Sequence, residues 1–168
     1  RVTDGAVQCY PNQLGTADGS LLMAGDTQVL AECDPLLRLL APTWRNLGED
    51  ITQPAALSRA VIACAVTSLV GFVNGVAIAQ RAGISLDLFL QHASNVNALV
   101  IAEQTRIVAA IETGDTQTTQ ASIDTWAAGH QVIQSVAESL GTNLVLQDAA
   151  QAVFQEGRRM GLGGHDLS

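Results

Sequence analysis

Residues 60–79, AVIACAVTSLVGFVNGVAIA, contain no charged side chain and decide the fold. A run of this length can span a bilayer, and Gly71 and Gly75 stand at the GxxxG spacing of packed membrane helices. Polar residues interrupt the run, however, and a single arginine flanks each end. We therefore predict a helix that is buried on all sides in a soluble assembly. In so small a chain such a helix needs a second subunit to cover it, so we predict a homodimer; a membrane anchor is the weaker alternative.

The composition around this run excludes several classes of protein. The chain has 168 residues, of which 48% are hydrophobic and 14% charged, which is typical of a globular domain. Its formal net charge is −8, and its eight cations are all arginine. Nucleic-acid binding needs a basic surface, so we expect no nucleic-acid partner.

The three cysteines, Cys9, Cys33 and Cys64, have neither zinc-ligand spacing nor an even count for disulfides. Cys64 lies in the apolar run and is predicted to be a small buried side chain. Residues 1–4 have no apolar region of a signal peptide. The expected location is the cytoplasm.

The first fifty residues predict the edge of a sheet. Strands are predicted at residues 2–9, 20–24 and 43–47, with turn residues between them. Between the second and third strands Asp26 should cap a helix, which Pro35 should kink or restart.

Helices are predicted for the rest of the chain. The apolar run lies in a long helix from Pro54 to about residues 81–82. A short helix after Ser85 and a separate one from about residue 94 to 111 should follow. Two more are predicted, at about residues 118–140 and 146–160, before a loop at the end of the sequence.

Few side chains suggest chemistry on their own. His130 lies on an apolar stripe, where a core or interface histidine is the simpler interpretation, and His165-Asp166 is more typical of a cap or turn than of a binding site. Metal-ligand spacing and the GxGxxG dinucleotide motif are both missing from the sequence. Ser58 lies one turn into the long helix. Without further information, we expect its hydroxyl to form a hydrogen bond to the backbone of its own helix.

Four segments resemble a known family. They are DGAVQCYPNQLGTADGSLLMAGD (4–26), GFVNG (71–75), TWAAGHQVIQSVAESLGTN (125–143) and GRRMGLGGHDLS (157–168). Together they are similar to the imine reductase and reductive aminase branch of the β-hydroxyacid dehydrogenase (6-phosphogluconate dehydrogenase-like) superfamily. The resemblance spans nearly the whole chain.

This resemblance implies a mainly α fold. Residues 1–52 would be the C-terminal edge of an incomplete Rossmann NAD(P)-binding domain, with its last short strands and helix. Residues 53–168 would be the all-helical dimerisation and substrate domain of the 6-phosphogluconate dehydrogenase-like type, including the long interdomain helix. A fragment of a longer enzyme is expected, with a natural short protein that has lost its cofactor half as the alternative.

The resemblance also implies an NADPH-dependent reduction of imines, with a pocket between protomers. Ser58 falls where the hydroxyacid branch has its catalytic lysine, and Ile62 falls where it has an asparagine. Serine is a poor general acid, but an imine can arrive already protonated, so Ser58 could orient the iminium or a water. Ile62 and Val66 would line the pocket, and Gln8 would either line it or cap its strand. A helical dimerisation or small-ligand-binding module without redox chemistry is the alternative function.

Overall fold

The computed structural model describes residues 1–117 and 119–168, and the chain divides into two compact units, Arg1–Leu69 and Val70–Ser168. A small sheet and one helix occupy the first unit, while helices make up nearly all of the second. The long apolar helix contributes residues to both units. The predicted fold class, mainly helical with a few short N-terminal strands, is confirmed.

The sheet has three strands in the order β1–β2–β3. Strand β1 (Thr3–Val7) pairs antiparallel with β2 (Leu21–Gly25), which pairs in parallel with β3 (Arg45–Asn46). All three lie within the predicted segments, to within one residue. Four of the five residues of β2 are buried, as expected for the central strand of a sheet that is covered by a helix.

Helix α1 (Thr27–Leu40) joins β2 to β3, and Asp26 caps it as predicted. The Asp26 carboxylate accepts hydrogen bonds from the backbone N–H groups of Gln28 and Val29, at 3.0 and 3.1 Å. The prediction that Pro35 restarts the helix is wrong, because α1 continues through it. Proline removes one backbone hydrogen bond, and the buried Leu30 and Leu37 on either side of it hold α1 against the sheet.

Helix α2 (Gln53–Arg81) contains the whole apolar run. Asp50 precedes it and accepts hydrogen bonds from the N–H and hydroxyl of Thr52, at 2.9 and 2.6 Å. The helix ends before Gly83, whose φ of 74° lies in the left-handed region that favours glycine. The bounds agree with the prediction to within one residue.

Helix α3 (Leu86–Thr113) is continuous, so the prediction of two helices here is wrong. Ser85 caps it as expected, and its hydroxyl accepts from the Leu88 N–H. Ser94, expected to start a new helix, instead donates its hydroxyl to the Leu90 carbonyl at 2.8 Å. A serine that bonds one turn back satisfies itself inside a helix and need not break it.

Helices α4 (Ile123–Ser139) and α5 (Val145–Arg159) pack on each other. The predicted start of α4, at about Thr118, lies outside the described residues; the helix begins after its cap, Ser122. His130 lies between the two helices, with Nδ1 3.1 Å from Gln151 Oε1 and its ring 5.6 Å from that of Phe154. His130 is therefore a structural histidine with a side-chain partner between two helices of the chain, in agreement with the prediction of a core or interface histidine.

Helix α2 is largely uncovered within the single chain. Residues 59–73 are all exposed, among them Cys64, so the prediction of a buried thiol is wrong for the isolated chain. Thr67 and Ser68 donate their hydroxyls to carbonyls one turn back, at 2.9 and 3.0 Å, so they scarcely interrupt the apolar surface. By length and composition alone α2 could cross a membrane, because an 18-residue stretch within it has a mean hydropathy of 2.2. Core helices of soluble proteins share this property.

Candidate functional site

Three of the four predicted site residues lie on α2. Ser58, Ile62 and Val66 are spaced four residues apart, which places them along one face of the helix. Ser58 is 6% exposed, whereas Ile62 and Val66 are 49% and 53% exposed. The face therefore runs from a buried hydroxyl to an open apolar surface, which can become a pocket wall only when a second surface faces it.

Gln8, the fourth predicted residue, lies just beyond β1. Its backbone N–H donates to the Ser20 carbonyl at 2.9 Å, which extends the pairing of the strands by one residue. Its side-chain nitrogen Nε2 is buried and has no hydrogen-bond partner in the described part of the chain. A buried donor without an acceptor costs about 1–3 kcal/mol, and a ligand that accepts from it recovers that cost.

The four residues have limited chemistry among them. They are one hydroxyl, one amide and two aliphatic side chains, and none of them changes protonation near neutral pH. Proton donation by a side chain with a pKa near the working pH is therefore not available from this set. The set can donate or accept hydrogen bonds, orient a polar group and exclude water.

A groove lies at the carboxyl ends of β2 and β3, which is where parallel α/β folds bind nucleotides. Its lining residues are Val2, Gly25, Asp26, Thr27, Gln28, Glu49 and Ile51. Two of these are acids, and the Asp26 carboxylate already occupies the N–H groups at the start of α1. A phosphate would meet negative charge here instead of free donors, so these residues do not fit the pyrophosphate of a dinucleotide.

Sequence reasoning missed an ion pair in the second unit. Arg106 of α3 contacts Asp166 through Nη1 and Glu103 through its other nitrogens, and Asp166 is only 1% exposed. Burial by itself raises the pKa of Asp166, but hydrogen bonds from Thr119, Arg106 and Ser168 outweigh it and lower this pKa to about 2. Arg106 is the only cation of α3, which is the signal that could have indicated a buried partner.

A second missed contact joins α2 to α5. Gln147 is 8% exposed, and its Nε2 donates to Asn74 Oδ1 at 2.5 Å. Within residues 1–117 and 119–168, no group of three or more histidine, cysteine, aspartate or glutamate side chains could hold a metal ion.

Comparison with solved structures identifies the same fold in imine reductases and reductive aminases. The imine reductase from Myxococcus stipitatus in complex with NADP+ has a TM-score of 0.91 and 21% identity. An imine reductase from Pseudomonas sp. gives 0.90 and 22%, and the reductive aminase from Aspergillus terreus in complex with NADPH and ethyl levulinate gives 0.89 and 17%. Identities this low show the fold alone.

The three alignments cover 98% of this chain but only 57% or 58% of the matched chains. The chain thus spans less than three fifths of the length of those enzymes. The sequence has no significant match among curated proteins.

A family model assigns the chain more specifically than the structural matches, which show the fold alone. The model of the NADPH-dependent reductive aminase-like C-terminal domain matches residues 50–168, which is well over half of the chain. This chain belongs to the NADPH-dependent reductive aminase-like family, and residues 50–168 are its C-terminal domain.

Proposed function

We propose that this chain is the dimer-forming, substrate-side part of an NADPH-dependent oxidoreductase that reduces imines to amines. The likeness of 98% of the chain to imine reductases, together with the family assignment, is the observation that carries the proposal. Residues 1–52 would be the edge of the dinucleotide-binding domain, and residues 53–168 the helical dimerisation and substrate domain.

The dimer proposal is supported by the uncovered apolar residues of α2 and α3. In α3, Leu99, Val100 and Ile101 are 69%, 45% and 62% exposed. Residues 94–102, which make more than two turns of the helix, are all exposed, so this part of α3 is uncovered on every side. Between Asp87 and Glu103 the helix carries no formal charge. Exposed apolar surface on this scale marks an interface, and a second copy that interlocks its own α2 and α3 would cover it.

In the proposed pocket each residue has a limited role. The unpartnered Gln8 Nε2 would donate to an acceptor on the bound substrate. Ser58 would orient a protonated imine or a water, while Ile62 and Val66 would contact the apolar part of the substrate. An imine that arrives protonated needs no strong acid from the protein, which suits a site with no titratable side chain.

Cofactor binding is assigned to residues beyond these 168. The family description names NADPH, but the acidic groove at the ends of β2 and β3 does not fit the phosphates. We expect titration of the 168-residue chain with NADPH, followed by fluorescence, to show no binding in the micromolar range. Micromolar binding would contradict this assignment.

The proposed setting is the cytoplasm, without nucleic-acid or membrane partners. A net charge of −8 disfavours both nucleic acids and anionic lipid surfaces. A second copy, and not lipid, would cover α2.

The activity test uses the protein from the complete reading frame that contains these residues. NADPH oxidation is followed with a hydrophobic cyclic imine, and with a β-hydroxyacid and NADP+ as the comparison. We expect turnover of the imine alone. Ser58→Ala should raise KM or lower kcat, whereas Ser135→Ala should change neither, because the Ser135 hydroxyl bonds to the Gln131 carbonyl of its own helix.

Dimerisation without NADPH oxidation would contradict the enzymatic proposal. It would favour a helical dimerisation or small-ligand-binding module. The serine at position 58, where the hydroxyacid branch has lysine, is the observation that favours this second candidate.

A further inference from the structure

The segment 162–168 closes over the start of α4. The N–H of Ile123 donates to the His165 carbonyl at 2.9 Å, and the N–H of Asp124 donates to the Gly163 carbonyl at 2.8 Å. The third N–H of the helix, that of Thr125, is capped by the Ser122 hydroxyl at 3.3 Å. The first N–H groups of a helix lack partners within it. Two of these three donors are therefore satisfied by a segment about forty residues away.

The same segment is tied down at Asp166. The Asp166 N–H donates to the Thr116 carbonyl at 2.8 Å, and its carboxylate contacts Arg106 of α3. The Ser168 N–H donates to Asp166 Oδ1 at 3.0 Å. His165 Nδ1 lies 2.9 Å from the Thr116 hydroxyl. Asp166 thus joins the segment to α3 and to the loop that leads into α4.

Apolar burial contributes little to this attachment. Asp166 is the only buried residue of the segment; Leu167 is 38% exposed, and Gly164 and Ser168 are exposed as well. Regions with few buried apolar contacts open at a lower free energy than the core. Polar contacts therefore hold the segment, and the ion pair with Arg106 is the one that is fully buried at the carboxylate.

We propose that residues 162–168 are a strap, locked by the carboxylate of Asp166, which caps α4 and which opens together with the first turn of α4 when that carboxylate loses its charge. The strap is a local device of the second unit, independent of the proposed catalysis.

Charged and titratable groups lie near the Asp166 carboxylate on several elements. Arg106 and Glu103 approach from α3, and His165 lies in the strap itself. From α4, Asp124 lies beside Gly163 and pairs with Arg158 of α5. Asp115 belongs to the loop before α4.

The pKa of Asp166 in the folded chain, about 2, is below its ordinary value of 3.8. A lowered pKa stabilises the locked state above about pH 4 and stops doing so as the pH falls towards 2.

The test is hydrogen–deuterium exchange at pH 7 on the full chain with Asp166→Asn. Asparagine keeps the shape and an acceptor for Ser168, and Arg106 keeps its pairing with Glu103, so we expect the variant to fold. Exchange at residues 123–124 and 165–168 should rise about tenfold to a hundredfold, the range for loss of a hydrogen bond to a charged group. The rest of α2–α5 should be unchanged. The matched control is Asp148→Asn. Asp148 is an exposed residue of α5 whose carboxylate accepts a hydrogen bond from Gln134, so this substitution should have no effect on the strap.

Two results would overturn the proposal: unchanged exchange in the strap, or a uniform rise across α2–α5. A second measurement avoids dependence on one variant. In the natural sequence, the rate of hydrogen–deuterium exchange is measured as the pH falls from 4 to 2 and is divided by the intrinsic exchange rate at each pH. This ratio should rise in the strap before it rises in the core. Simultaneous opening of strap and core over that interval would equally overturn it.

Discussion

The substitution Leu99→Glu on α3 tests the proposal that a second copy of the chain covers this helix. Leu99 is 69% exposed in the single chain, and glutamate has nearly the helix propensity of leucine. The isolated chain should therefore tolerate the change with no loss of helix. In the proposed dimer the same position is covered, so the variant loses apolar burial and places a carboxylate in an apolar interface.

The magnitude follows from the exposed fraction of Leu99. Full burial of a leucine side chain stabilises by about 1.5–3 kcal/mol, so covering the exposed part contributes about 1–2 kcal/mol per copy. A two-fold dimer has two such sites, which gives about 2–4 kcal/mol and raises the dimer Kd about 30-fold to 1,000-fold. Desolvation of the carboxylate adds to this figure.

Sedimentation velocity over a range of protein concentrations measures the effect, with circular dichroism as the check on helix content. The control is Leu39→Glu on α1, since Leu39 has a similar exposure, 70%, and the substitution changes the charge equally. We expect Leu39→Glu to sediment like the natural sequence and Leu99→Glu to shift to monomer at the same concentration. Equal behaviour of the two variants would refute the placement of Leu99 in the interface.

Four further substitutions test the fold and the buried ion pair. Leu30→Ala, in the core of the first unit, should lower the free energy of unfolding by about 2–5 kcal/mol in denaturant titrations; less than 1 kcal/mol would contradict the described core. In the monomeric variant, Gly71→Ala should raise the thermal midpoint, because nothing lies within 4 Å of its new Cβ and alanine favours helix by about 1 kcal/mol. Gly75→Ala should raise it less or lower it, because its Cβ would lie 3.1 Å from Cζ of Phe89; a larger gain at Gly75 would reverse this reasoning. Asp166→Asn should make the midpoint less sensitive to acid between pH 4 and pH 2, since the pKa of this carboxyl is lowered to about 2; an unchanged acid profile would argue against the buried ion pair.

Local patterns predicted most of the helices and strands. The uncharged run predicted α2 because no helix-breaking residue interrupts it. Asp26 and Ser85 were predicted to cap helices, and in the structure both side chains accept hydrogen bonds from the first backbone N–H groups of α1 and α3. The same kind of reasoning failed at Ser94, because serine is both a cap residue and a side chain that satisfies itself inside a helix. Only the continuation of the backbone distinguishes the two.

Long-range polar contacts could not be predicted. Arg106 and Asp166 are separated by sixty residues and by two helices, and neither follows a periodic pattern. The exposure of Cys64 was also missed, because the prediction assumed a covering subunit that a single chain does not supply. For the candidate site, the roles of Gln8 and Ser58 came from family resemblance, and they stay predictions.

The native mass of the 168-residue chain in detergent-free buffer decides whether a second copy covers α2 and α3. One chain has a mass of 17.5 kDa, so we expect twice that value, about 35 kDa, with full helix content. A folded, monodisperse species of 17.5 kDa, or a chain that stays in solution only with detergent, would contradict it.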